Sequence, residues 1–193
     1  MRCIALVVLV SACYGGIDQS NQSNAGTGAP DPGSAPPDAA VAIDGHMMDE
    51  VDQRMIDTAS QVRRFTKIDR AAYPSTLGAF NLDSYVNDDV RDYKSVHPET
   101  SGTGITMPVG TVIVREVLDS TTGAITKITL MGKGPAGYDS TLGDWWFGVT
   151  DPSGVALPDG NGGVQVGRLT DCHGCHVPRA TDDYLFGVPK ADQ

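Results

Sequence analysis

The sequence predicts an α+β fold in which an N-terminal amphipathic helix accompanies an antiparallel β-sheet. Two observations indicate this class. Apolar residues recur at steps of three and four across residues 46–70, which is the spacing of a helix with one buried face. Between residues 111 and 150, runs of β-branched and aromatic residues alternate with turn-forming residues, as in strands joined by short turns. Helical and strand patterns that occupy separate parts of a chain favour α+β over alternating βαβ units.

The predicted helix is the first element of the folded part of the chain. Its spacing places six apolar side chains on one face, and they are Met48, Val51, Met55, Ala59, Val62 and Phe65. We interpret this methionine-containing stripe as core packing, because methionine fills irregular gaps in a core. The following residues 74–89 are rich in Gly, Asn and Asp, so we expect a loop there with at most a short helical turn.

Three strands are predicted next. Residues 111–118 are β-branched and lead through Asp-Ser-Thr-Thr-Gly into the alternating residues 124–131, so the two segments predict an antiparallel hairpin. Residues 144–150 form a third strand, which ends at an Asp-Pro-Ser-Gly turn. Residues 164–169 are expected to be short and extended.

Residues 1–13 resemble the signal peptide of a bacterial lipoprotein. Arg2 is a short positive region, and the apolar run 4–10 is too short to span a bilayer. The run ends in Val-Ser-Ala-Cys, which resembles a lipobox, so Cys13 is the predicted lipidation site and mature N-terminus. The alternative is an ordinary signal peptide cut near this point. Both interpretations predict export.

A tether follows the predicted anchor. Residues 14–45 consist mainly of Gly, Ser, Asn, Ala, Asp and Pro, and they have too few large apolar side chains to offset the entropy of ordering. We therefore expect a disordered tether that joins Cys13 to a domain at residues 46–193. The lipid would be the only contact with the membrane, and the domain would lie on the periplasmic side of a bacterial membrane.

The charge balance limits the classes of partner. The chain has 14 Lys+Arg against 24 Asp+Glu, a formal net charge of −10, and no basic run that would neutralise a phosphate backbone. Nucleic acid is therefore not expected as a partner. Acidity of this kind usually serves solubility, although it is also suited to steering a cationic redox protein.

The strongest chemical signal is the sequence Cys-His-Gly-Cys-His near the C-terminus. Cys172 and Cys175 have the spacing that adds to the two vinyl groups of one haem, and His176 then reaches the iron. The sequence thus predicts one haem c per chain, with His176 as the iron ligand, on a short C-terminal helix. A zinc site lacks further ligands, since the other cysteines, Cys3 and Cys13, lie in the signal region. A thioredoxin-like disulfide would require a βαβ pattern that is not seen.

A sixth iron ligand would have to come from upstream of the motif, because residues 177–193 contain neither Met nor His. Three upstream side chains and one within the motif are candidates: Met107, Met131, His97 and His173. Each has a structural alternative: the two methionines as core residues, His97 as a surface loop residue before a proline, and His173 as the variable residue of the motif. We therefore expect an open or water-bound distal position. An open haem binds or transforms small molecules rather than only passing electrons.

Four motifs occur in order along the chain. They are Gly-Thr-Val-Ile-Val-Arg-Glu at 110–116, Gly-Asp-Trp at 143–145, the Cys-x-x-Cys-His motif at 172–176 and Asp-Tyr-Leu-Phe at 183–186. Together they resemble the cytochrome P-460 family and its relative cytochrome c′-beta over roughly residues 89–187. The resemblance implies a β-rich fold that is usually a homodimer, with the histidine of the third motif as the proximal haem ligand.

Two departures from the family pattern concern activity. The hydroxylamine-oxidising members cross-link a lysine of the first motif to the porphyrin, and the matching residue here is Arg115, which cannot act as that amine nucleophile. The region that holds their distal carboxylate has Thr129 and Met131 here. We expect Arg115 to place a fixed positive charge at the distal face or at a haem propionate, or to be a surface residue. Arg115 and Asp144 are the catalytic candidates.

Three functions are consistent with these features. The first is an exported haem protein that binds nitric oxide or a similar nitrogen or oxygen species in a distal pocket walled by aromatic and apolar residues such as Trp145 and Phe147. The alternative for these two aromatics is a place in the core. The second is a hydroxylamine-oxidising or peroxidase-like enzyme, which needs a proton-transferring group near the iron. The third is an electron-transfer cytochrome, which needs a strong sixth ligand and a redox partner protein.

Overall fold

The computed structural model describes residues 50–88 and 90–193. The predicted signal peptide with Cys13, the tether, and the first four residues of the predicted helix lie outside the described residues. Within the described part of the chain, no helix is both long enough and apolar enough to cross a membrane.

An antiparallel sheet of seven strands forms the centre of the fold, with helices beside it, so the predicted α+β class is confirmed. The order across the sheet is β1-β3-β4-β5-β6-β7, and β2 also pairs with β3. The strands are β1 (Thr66–Lys67), β2 (Tyr73–Pro74), β3 (Phe80–Val86), β4 (Val112–Asp119), β5 (Ile125–Lys133), β6 (Trp145–Thr150) and β7 (Val166–Gly167). The predicted hairpin is β4 and β5, and the predicted third strand is β6.

The strand register defines the two faces of the sheet. Arg115 lies opposite Thr129, which lies opposite Val149, so these side chains share a face that we call the cavity face. The neighbouring residues Val114 and Leu130 point to the other face, which we call the helix face. The site described below is built on the cavity face.

Helix α1 (Glu50–Ala59) packs on the helix face. Its Ile56 and Ala59 belong to a buried cluster that also contains Val114 and Leu130. The indole N–H of Trp146, in β6, donates a hydrogen bond of 2.8 Å to Asp52 Oδ1 on the helix. The predicted apolar stripe is only partly buried: Ala59 lies in the core and Met55 packs against it, whereas Val51 is exposed and the buried positions include Asp52 and Ile56.

The predicted helix was wrong in its C-terminal half, because it ends at Ala59 and not near residue 70. The hydroxyl of Thr58 bonds to Arg54 O, and that of Ser60 bonds to Asp57 O, so side chains compete for helical carbonyls at this end. A 3₁₀ turn at Val62–Arg64 then leads into β1, whose backbone pairs with β3.

The prediction of a loop over residues 74–89 was also wrong, because β3 forms there. Leu82, Ser84 and Val86 alternate as buried residues, and β3 pairs with β4 along its whole length. Asn and Asp within this segment disfavour a strand, but cross-strand pairing and one buried face outweigh that weak preference.

Two further helices and the C-terminal segment, residues 177–193, cover the cavity face. Helix α2 (Val90–Ser95) precedes a long loop, and helix α3 (Thr170–His176) follows β7. Together with the C-terminal segment they bury a second cluster, which includes Tyr93, Val96, Met107, Trp145, Leu185 and Val188. This layer leaves a cavity between α3 and the sheet.

Candidate functional site

Helix α3 carries all three residues of the predicted haem-binding motif. Cys175 and His176 follow Cys172 by three and four positions. The three side chains therefore lie on the same side of α3. Both thiols are free, Cys172 half-buried and Cys175 exposed. Burial raises the pKa of Cys172 to about 11, with Asp171 adding to the effect. The thiol is therefore neutral, unlike the low-pKa cysteine of a disulfide oxidoreductase.

A cavity of about 380 Å³ lies between α3 and the cavity face of the sheet, with Cys172, Cys175 and His176 in its lining. This volume falls within the range of ligand and cofactor pockets, roughly 300 to 1,000 Å³. Most of the lining is apolar and includes Leu82, Ile113, Val117, Met131, Phe147, Val149 and Phe186. The cavity thus combines two thiols, an imidazole and an apolar wall.

The imidazole of His176 is fixed on two sides and by one hydrogen bond. The rings of Phe147 and Phe186 meet it edge-on, with centroids 5.3 and 5.1 Å away. Its Nδ1 lies 2.6 Å from the carbonyl oxygen of Tyr184, which can only accept, so Nδ1 carries the proton. Nε2 is then the nitrogen with a free lone pair, as in a histidine that ligates a metal.

The electrostatics of His176 favour the neutral imidazole. Burial lowers its pKa to about 4, and the charge of Arg115 adds to this effect, while the hydrogen bond to the Tyr184 carbonyl opposes it. A neutral imidazole is the form that binds a metal ion.

The Tyr184 carbonyl is itself held by a buried network. Asp183 and Tyr184 both adopt left-handed backbone conformations, with φ of 53° and 63°. The Asp183 carboxylate accepts from Lys133 Nζ at 2.6 Å and from the backbone N–H of Met107 at 2.7 Å. The indole of Trp145 donates to the Asp183 carbonyl at 2.8 Å. These bonds fix a turn that side chains other than glycine adopt rarely.

Arg115 extends from β4 into the lining of the cavity. Its Nη2 donates to the carbonyl oxygen of Gly187 at 2.9 Å and to the hydroxyl of Tyr93 at 3.3 Å. Its Nε is buried without a hydrogen-bond partner among the described residues. Burial opposes the charged form, but the hydroxyls of Tyr93 and Tyr73 outweigh burial, so the pKa of Arg115 is raised and the guanidinium stays protonated.

The structure separates the four candidate sixth ligands. Met131 lines the cavity. Met107 is fully buried in the core and does not line it. His97 Nδ1 lies 3.0 Å from Glu99 Oε2 near the surface, and His173 also lies outside the cavity lining. Met131 is therefore the candidate that the fold brings to the site.

Two other predicted residues lie outside the cavity. Asp144 accepts a hydrogen bond from the backbone of Asp139 and lines a different pocket, so the structure does not bring this catalytic candidate to His176. Trp145 is fully buried and its indole bonds to the Asp183 carbonyl, so of its two alternatives the structure bears out the core position and not the pocket wall. Phe147 and Thr129 do line the cavity.

Lys127 also lines the cavity, and sequence reasoning did not select it as a site residue. The signal was present, because period-two alternation in β5 places Lys127, Thr129 and Met131 on one face. The alternation does not indicate which face of the sheet α3 packs against, so the sequence could not show that this face lines the site.

Neither protein-family models nor curated proteins match the chain. The functional assignment therefore depends on the residues of this site. Membership of the cytochrome P-460 family stays a prediction from the sequence motifs.

Proposed function

We propose that this protein is an exported c-type cytochrome with one haem, which binds nitric oxide or a similar small nitrogen or oxygen species at an open distal position. Cys172 and Cys175 would hold the haem through thioether bonds, and His176 would be its proximal ligand. One observation carries the proposal: both thiols and a neutral imidazole with its Nδ1 proton engaged line the same apolar cavity.

The residues present fit a covalently bound haem. The bound haem would supply an iron atom that coordinates a diatomic or similar ligand. His176 presents Nε2 for coordination, and its hydrogen bond to the Tyr184 carbonyl orients the ring and increases its basicity as a ligand. The mostly apolar lining, with a few polar side chains, is typical of a pocket for a small ligand or cofactor.

An open distal position is supported by the placement of the candidate ligands. Three of the four candidate ligands, His97, Met107 and His173, lie outside the cavity lining. Met131 lies within it, and this observation favours an electron-transfer cytochrome as the second candidate function. A hydroxylamine-oxidising or peroxidase-like activity needs a proton donor at the iron, and Asp171, beside Cys172, is the carboxylate among the described lining residues.

The setting of the domain is part of the proposal. Lipidation of Cys13 would anchor it to a bacterial membrane on the periplasmic side, with the tether between them. The family resemblance favours a homodimer, and the acidic charge suits a cationic redox partner protein.

Optical spectra of the reduced protein, with and without carbon monoxide, test the distal position. The protein is expressed in a host that matures c-type cytochromes. We expect a five-coordinate high-spin ferrous haem that takes up carbon monoxide at once, with a matching shift of the Soret band. A low-spin ferrous haem that ignores carbon monoxide would favour the electron carrier, and Met131→Leu should then convert it to the carbon monoxide-binding form.

A further inference from the structure

Arg115 is a half-buried cation with an enclosed Nε, and no side chain in the described part of the protein neutralises its charge. Its two hydrogen-bond acceptors, the carbonyl of Gly187 and the hydroxyl of Tyr93, are both uncharged. Among the described residues no carboxylate forms an ion pair with it, and its Nε has no acceptor. A half-buried guanidinium that stays protonated and has no carboxylate beside it attracts an anion into the cavity that it lines.

The neighbouring strand adds further groups of the same kind. Thr129 lies directly opposite Arg115 in the β4–β5 ladder, and Lys127 lies two positions further on the same face. Diagonal neighbours of this type have Cβ atoms roughly 7 to 8 Å apart, within reach of long side chains. All three residues line the cavity, Lys127 as an exposed residue and Thr129 as a half-buried one. One wall thus offers two cations and a hydroxyl.

The opposite sign of charge is scarce in the cavity. The described lining contains one carboxylate, that of Asp171, and it lies on α3 beside Cys172. The remainder of the lining is mostly apolar or aromatic. The electrostatic field across the cavity therefore favours a negative group beside Arg115.

We propose that Arg115 binds a small anionic ligand of the haem iron, of the nitrite or azide class, with Lys127 contributing at longer range. The inference rests on the proposed function and deepens it by naming the charge of the ligand. The guanidinium would attract the anion into the cavity by its charge while Nη2 keeps its bond to Gly187 O. A haem propionate is another anionic group that Arg115 would attract. The experiment distinguishes a propionate from an iron-bound anion.

The test uses the haem-loaded protein and two ligands of different charge. Azide is titrated into the ferric form, and carbon monoxide into the ferrous form, for the parent protein and for Arg115→Gln. One hydrogen bond to a charged group corresponds to about tenfold or more in affinity. We therefore expect azide affinity to fall at least about tenfold while carbon monoxide affinity changes by no more than about twofold. Lys127→Gln should give a smaller loss for azide.

Arg63→Gln is the matched control, because it removes an exposed arginine that lies in the 3₁₀ turn after α1 and outside the cavity lining. It should leave both affinities unchanged. If Arg115→Gln does not fold, Arg115→Met decides, since replacing a buried charge by an apolar side chain of similar length is often tolerated.

Two results would overturn the inference. Azide affinity that is unchanged in the Arg115 variants, together with a shifted haem reduction potential, would assign the guanidinium to a propionate. Equal losses for azide and carbon monoxide would show a general disturbance of the cavity and no anion site. Failure of the parent protein to hold haem or to bind carbon monoxide would instead contradict the proposed function, so the two failures are distinguishable.

Discussion

In the predicted match to the cytochrome P-460 pattern, Arg115 takes the place of a cross-linking lysine, and its chemistry differs in kind from that of an amine. The guanidinium stays protonated, since its pKa is raised by Tyr93 and Tyr73 in spite of burial, and its Nη2 is bound to the backbone of Gly187. A protonated, delocalised guanidinium is not a nucleophile. Of the lysines considered, Lys127 lines the cavity, whereas Lys133 is paired with Asp183 in the core.

We therefore predict that the haem carries only its two thioether links. Mass spectrometry of the haem peptides should show no bond from Lys127 or from any other side chain to the macrocycle, and turnover of hydroxylamine should be negligible. Arg115→Lys tests the same argument in reverse, because an amine at this position would permit the cross-link and shift the spectrum to the red. A cross-link in the unmodified protein would contradict the prediction.

The sequence could predict that Cys172, Cys175 and His176 lie at one place because the motif is local, and all three do line one cavity. Cys172, Cys175 and His176 are within one helical turn, and their spacing alone indicates the chemistry. Trp145 and Phe147 lie on the same face of β6, but the C-terminal segment covers Trp145 and leaves Phe147 in the cavity. Which of two such residues reaches the site depends on packing between distant segments, and a sequence pattern does not contain it.

The same contrast between local and distant information applies to whole elements. Strands β4, β5 and β6 follow from their β-branched and aromatic residues, whereas β3 contains Asn and Asp and was predicted to be a loop. It becomes a strand because β4 supplies hydrogen bonds along its whole length and Leu82 and Val86 enter the core. The end of α1 at Ala59 likewise depends on the pairing of β1 with β3.

The turn that presents the Tyr184 carbonyl to His176 should depend on the buried ion pair between Lys133 and Asp183. Both residues are almost fully buried, and the contact is 2.6 Å long. Asp183→Asn tolerates the left-handed backbone but leaves the lysine charge without a partner. We predict a loss of about 3 to 5 kcal/mol in the free energy of unfolding, measured by urea denaturation.

The double variant Lys133→Met, Asp183→Asn is the control for this ion pair. It removes both charges, so it should lose less stability than Asp183→Asn alone. Lys133→Met alone completes the cycle. If the double variant loses as much unfolding free energy as Asp183→Asn and Lys133→Met lose together, the two charges are not coupled.

Asp182 gives the C-terminal segment a pH-dependent attachment to the loop before β4. Its Oδ1 accepts from both the N–H and the hydroxyl of Thr103, at 2.8 and 2.9 Å, and Arg179 lies 3.1 Å from Oδ2. Burial alone would raise the pKa of this carboxyl. The Thr103 hydrogen bonds and the Arg179 charge together outweigh burial, so the pKa of Asp182 lies below its ordinary value. The carboxylate therefore stabilises the fold above the unfolded pKa of about 4, and the effect is lost as the pH falls through the lowered folded value.

Asp182→Asn should accordingly cost roughly 1.5 to 3 kcal/mol at pH 7, because a charge-assisted bond is weakened. The difference in unfolding free energy between the parent and the variant should shrink when the pH falls from 5 to about 2. Urea denaturation at several pH values measures it. A difference that stays constant over this range would show that ionisation of Asp182 does not contribute.

At the scale of the whole molecule, the composition predicts three parts: a short apolar N-terminus, a polar tether and the folded domain. The lipobox-like Val-Ser-Ala-Cys predicts that the mature protein begins at Cys13 and carries acyl chains. Mass spectrometry of the native N-terminus should find acylated Cys13, and Cys13→Ser should move the protein from the membrane fraction to the soluble fraction. A mature chain that begins elsewhere and fractionates as soluble protein would show that the lipid anchor is absent.

The central claim, covalent attachment of haem to α3, is tested most directly by the mass of the denatured protein. After expression with the c-type maturation system, the unfolded chain should keep one haem through acid and organic solvent, and its mass should exceed that of the polypeptide by one haem. The Cys172→Ala, Cys175→Ala double variant should lose this addition completely. A chain that instead retains zinc and no haem, or releases its haem on denaturation, would contradict the account.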